Sequence, residues 1–67
     1  MDTPKPSLGR IVIYKSPEGV ESPAIITEVY DVGVNLTVFE SRSNPRPISY
    51  IVAQGNENDQ WNWPKKV

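Results

Sequence analysis

The feature that most constrains this chain is how often it is interrupted. Seven prolines and four glycines fall among its 67 residues, and they divide the apolar residues into short runs with no helical periodicity. Inside a helix, proline removes a backbone donor and glycine loses too much conformational freedom, so punctuation this dense works against helices. The runs between are rich in β-branched and aromatic residues, which suit a pleated surface. Five strands are therefore expected: 8–15, 22–31, 34–40, 48–53 and 61–63. The first carries Ile11, Val12, Ile13 and Tyr14. The third alternates most cleanly, with Val34, Leu36 and Val38 on one face and Asn35, Thr37 and Phe39 on the other. In the second, either Ile25/Thr27/Val29 or Ala24/Ile26/Glu28/Tyr30 can form the buried face, a pattern that fits a central or curved strand. The last places Trp61 and Trp63 on one face and Asn62 on the other.

The connections have their own chemistry. In Ser16-Pro17-Glu18-Gly19, proline presets φ at the second turn position and glycine closes the turn. Asp31-Val32-Gly33 is read as the next turn, with Gly33 supplying a positive φ. Residues 41–47 form a polar, proline-interrupted loop and 54–60 a long polar one. Five short strands joined this way predict an all-β fold, a single small SH3-like antiparallel barrel over 8–64. An extended arm (1–7) precedes it and a short tail (65–67) follows. An OB barrel is less suitable, because 41–47 is too short and too proline-rich for its customary helix. Barrel closure would also remove the exposed edges that short strands otherwise present.

Size and composition limit function. A chain this short buries barely enough apolar surface to offset the entropy of ordering it. With no cysteine and no histidine, neither disulfides nor a structural zinc site can add stability. Burial between copies is the remaining route, so a homo-oligomer is expected. The same absences eliminate Ser-His-Asp and Cys-His catalysis, leaving only carboxylates, lysines and tyrosines for chemistry. No enzyme activity and no cofactor are expected. The carboxylates Glu18, Glu21, Glu28, Asp31, Glu40, Glu57 and Asp59 sit mostly at turns, as solvated groups do. Asn56-Glu57-Asn58-Asp59 lacks the spacing of a calcium loop, so no metal site is expected. The net charge of −1 and pI of about 5.2 supply no basic field for duplex nucleic acid. No run approaches the length of a membrane span and no signal-type segment opens the chain, so a soluble, cytosolic protein is expected.

Four motifs carry a resemblance: Gly9-Arg10-Ile11-Val12-Ile13-Tyr14, Pro23-Ala24-Ile25, Val34-Asn35-Leu36-Thr37-Val38-Phe39 and Trp61-Asn62-Trp63-Pro64. Together they resemble a family of small bacteriophage and prophage β-barrel proteins with the pattern G-R-I-V-x-Y … V-N-L-x-V-F … W-x-W-P. Asn62 stands where that family more often has histidine. The resemblance implies phage origin, a compact β fold and location in the host cytoplasm; it implies no activity.

Six residues are candidate binding groups. Trp61 and Trp63 either close the barrel, or one of them stacks on a flat ligand or sits at an interface. Arg42 and Arg46 lie in a loop stiffened by Pro45 and Pro47. That loop is either solvated or a preorganised fork for phosphate or carboxylate, with Arg10 as a third cation. Asn35 interrupts an apolar run and either faces water or reads the edge of a ligand or a symmetry partner. The favoured function is a homo-oligomeric module binding a host or phage protein. The alternative is a sponge that sequesters a nucleotide-type host defence signal in a pocket between subunits. A sponge needs Arg42 or Arg46 beside an indole; a protein-interaction module needs a contiguous apolar patch without converging cations.

Overall fold

The computed structural model describes residues 6–40 and 44–64. Arg42, most of the expected arm (1–5) and the tail (65–67) lie outside the described residues. The strands are β1 (Ile11–Lys15), β2 (Glu21–Tyr30), β3 (Gly33–Val38), β4 (Arg46–Pro47) and β5 (Gln60–Asn62). They form one antiparallel sheet in the order β4-β3-β2-β1-β5, with β2 at its centre. The protein is an all-β small domain.

Alternation sets the inner face. Val12 and Tyr14 of β1, Ala24 and Ile26 of β2, and Val34, Leu36 and Val38 of β3 point inward. They are joined by Ile48, Val52 and Trp61 in one buried cluster. Each large member contributes on the order of 1.5–3 kcal/mol by leaving water. The two possible faces of β2 resolve in favour of Ala24 and Ile26, because the register with β3 shifts between Ile26 and Glu28. Beyond that bulge Glu28, Val29 and Tyr30 of β2 are exposed, while Val34 opposite them stays buried.

The first turn forms as expected: Gly19 N–H donates to the Ser16 carbonyl at 2.8 Å, and Gly19 has a φ of 89°. Gly33 plays a different part from the one expected. Its φ is not positive; instead a Cβ there would lie 2.5 Å from the Val52 carbonyl oxygen. Glycine is required at this position because another backbone crosses it.

The expected fourth strand, 48–53, needs correction. Regular pairing with β3 is confined to Arg46 and Pro47, and the chain then bows out, leaving Tyr50 and Ile51 exposed. It returns at Val52, which exchanges hydrogen bonds with Val34 at 2.8 and 3.0 Å. Two interactions hold the bow. Ile48 N–H donates to Leu36, and Asn35 Nδ2 donates to the Tyr50 carbonyl at 2.9 Å, taking the place of a ladder bond. Gln54 then forms a parallel bridge with Trp61 of β5. Residues 46–54 thus touch both β3 and β5, the strands flanking the β1–β2 pair.

Candidate functional site

The outer face of the sheet is built from the residues that alternation leaves over. Ile11 pairs with Ile25 across β1 and β2, and Ile13 with Pro23. Phe39 joins the row through its N–H bond to the Pro23 carbonyl at 2.9 Å. Ile11 is 60% exposed and Phe39 38%, while Ile13 and Ile25 are half-buried. These five side chains make a contiguous, uncharged, apolar strip on solvent.

At the β5 side the strip runs into an open groove of about 640 Å³. Ile13, Lys15 and Glu21 form one side, with Asn56, Gln60, Asn62 and Trp63 around the rest. The amides largely satisfy one another. Asn62 Nδ2 donates to Asn56 Oδ1 at 2.7 Å, and Asn62 Oδ1 accepts from the Trp63 N–H at 2.9 Å. Lys15 Nζ donates to the Asn56 carbonyl at 3.2 Å. Asn62 thereby organises the groove wall.

The two indoles divide the possibilities expected of them. Trp61 is 1% exposed and belongs to the core; Trp63 is half-buried and packs against it. They meet edge-to-face, with centroids 5.4 Å apart and planes at 86°, an arrangement worth about 0.5–1.5 kcal/mol beyond area. Both Nε1 groups are buried and find no acceptor among the described residues. An orphaned donor of this kind costs about 1–3 kcal/mol. Over Trp63 lies the guanidinium of Arg10, 5.1 Å from the ring centroid, so Arg10 pairs with the indole as a cation–π partner.

The remaining candidates are separate. Arg46 ion-pairs with Glu40 at 3.3 Å on β4, at the other end of the strand order from β5. Arg42 lies outside the described residues. Asn35 is occupied within the chain: besides the Tyr50 bond, its Oδ1 accepts from the Tyr30 hydroxyl at 3.0 Å. Its place in an apolar run has a structural cause, the clip on the 48–52 bow.

One polar cluster escaped sequence reasoning. Tyr14 and Tyr50 both donate to Asp59 Oδ1, at 2.5 and 2.6 Å, and their hydroxyls lie 3.2 Å apart. Burial, then the bond to Asp59, pushes the Tyr14 phenol far above the usual tyrosine range. The Asp59 bond, as the largest contribution, also raises Tyr50. Both phenols remain protonated donors at neutral pH. Asp59 has a φ of 62°, a left-handed conformation that aspartate tolerates better than most residues. Asn56-Glu57-Asn58-Asp59 reads as a solvated loop because residues 9 and 45 positions away supply its partners. An acidic residue at the end of an Asn-rich turn is the only signal available.

No group of metal-ligating side chains occurs among the described residues, and no helix there is long and apolar enough to cross a membrane. No protein-family model, curated protein or solved structure matches the chain.

Proposed function

We propose that this chain is a non-enzymatic phage accessory protein acting in the host cytoplasm as a small homo-oligomeric protein-interaction module. Its fold would be an SH3-like barrel. Supporting that topology, residues 46–54 bridge to β3 at Val34 and to β5 at Trp61, which leads the sheet's two sides toward one another.

The observation that carries the functional reading is the outer strip of Ile11, Ile13, Pro23, Ile25 and Phe39. Solvent-facing apolar side chains in one contiguous row, backed by a rigid sheet, are the physical requirement for a protein-docking surface. The sponge reading draws on a different observation, Arg10 over Trp63. Among the described residues Arg10 is the arginine beside an indole, while Arg46 pairs with Glu40.

Two measurements separate these readings. A photo-crosslinking amino acid at Ile25 is expected to give protein adducts in expressing cells, while the same group at Glu18 in the exposed first turn gives none. Equal yields at both positions would remove the outer face from consideration. Calorimetric titration with a panel of nucleotides and cyclic nucleotides is expected to show no binding at millimolar concentration. Binding by any of them, lost in Arg10→Ala, would establish the sponge instead.

A further inference from the structure

The outer strip has a symmetry that identifies an occupant. β1 and β2 are antiparallel, with Ile11 opposite Ile25, Ile13 opposite Pro23 and Lys15 opposite Glu21. All six side chains belong to the outward-facing set, and the last pair carries opposite charges. Within one chain Lys15 and Glu21 form no ion pair among the described residues. Lys15 reaches instead to the Asn56 carbonyl, and Glu21 is exposed.

We propose that a second copy of the chain docks on this face as an isologous dimer, with its two-fold axis parallel to the strands and midway between β1 and β2. This inference rests on the reading of the outer face as a docking surface and names its partner. Such an axis lays β1 of one copy over β2 of the other. Ile11 then meets the second copy's Ile25, Ile13 meets its Pro23, and Lys15 meets its Glu21, each contact occurring twice. The alternative in-plane axis, perpendicular to the strands, brings the Lys15–Glu21 end over the Ile11–Ile25 end. It would bury both charges against isoleucine, and an unpaired buried charge is strongly disfavoured. Charge complementarity therefore selects the axis.

The chain as a whole exposes more surface than a compact monomer of its mass. The chain exposes 5011 Å², about 800 Å² more than scaling gives a compact monomer of this mass. Its radius of gyration of 11.1 Å is close to the roughly 10.9 Å of a compact chain of this length. A standard interface takes about 800 Å² from each partner.

Sedimentation equilibrium on the full chain, from about ten to several hundred micromolar, tests the proposal. The wild type is expected at twice the 7.5 kDa chain mass in the upper part of this range. Glu21→Lys should weaken the dimer by about tenfold, because it sets lysine against lysine twice. The swap Lys15→Glu with Glu21→Lys should restore most of that loss. Circular dichroism confirms that each variant is folded, and Ile25→Ser replaces any charge variant that is not. A wild type that stays at the monomer mass overturns the dimer but leaves the docking reading to the crosslinking at Ile25. A dimer unaffected by Glu21→Lys, or unrestored by the swap, overturns the axis and this face as its interface.

Discussion

Trp61 and Trp63 stand two residues apart, touch each other, and live in different physical worlds. Trp61 lies beneath the sheet opposite Tyr14 and is sealed on every side. Tyr14 ties that region to Asp59 and Tyr50 through short hydroxyl–carboxylate bonds. Trp63 sits past the end of β5, at the mouth of a groove, packed against the core on one side and with the Arg10 guanidinium over its ring. Pairing decides the difference. Trp61 donates its backbone N–H to the Ala53 carbonyl and accepts from Gly55, whereas the Trp63 N–H turns back to the Asn62 side chain. The ladder ends between them, and burial ends with it.

The largest effect should come from removing the sealed indole. Trp61→Ala is expected to cost about 3–5 kcal/mol, enough to unfold a domain of this size, with loss of the β signal in circular dichroism. If Trp61→Ala melts like the wild type, the contrast between the two indoles is void. Next in size is Asp59→Ala, which strips two tyrosine hydroxyls of a charged acceptor and places alanine at a left-handed φ. A loss of about 2–4 kcal/mol is expected by urea titration. Trp63→Ala should lose only about 1–2 kcal/mol, since half an indole leaves water there. The variant is expected to stay folded with an altered groove. A loss as large as that of Trp61→Ala would place both tryptophans in the core.

Alkaline pH sharpens the same comparison from the buried side. The folded Tyr14 phenol holds its proton well above the value of about 10 that it has when unfolded. Above that pH the unfolded chain binds fewer protons than the native one, so stability falls as pH rises. It is fully present below about pH 10 and then declines by about 1.4 kcal/mol per pH unit for this one group. Tyr14→Phe should remove that share of the slope, as read from urea midpoints between about pH 9 and 11. An unchanged slope would show that the phenol is not protected. The smallest effect belongs to the rim. Arg10→Ala should change stability by about 0.5–1 kcal/mol, within reach of careful thermal melts.

Local chemistry made much of this protein legible in the sequence. The turn at Ser16–Gly19, the clean inward set of β3 and the central position of β2 all follow from side-chain period and turn residues. So does the all-β class, since no stretch free of proline and glycine has a helical pattern. The 48–53 segment departs from a regular strand for a physical reason. Its apolar content suits a strand, but Asn35 takes the Tyr50 carbonyl and the backbone bows between two anchor points. The Tyr14–Tyr50–Asp59 cluster was hidden because its members are distant in sequence and each alone looks ordinary. Gly33 looked like a turn glycine, and only the crossing of Val52 shows that it makes room for a backbone.

What the amino-acid sequence determined by itself is therefore the class of structure and the inward-facing row of β3, because both depend on neighbours one or two residues away. It also determined the absence of histidine and cysteine chemistry. Only the tertiary structure decided which tryptophan is core, where Arg10 and Arg46 find their partners, and that the outer isoleucines line up as one strip. Those outcomes depend on strand register and on where the ladder stops. Register is set by the packing of the whole inner face at once, and no single stretch of sequence contains it.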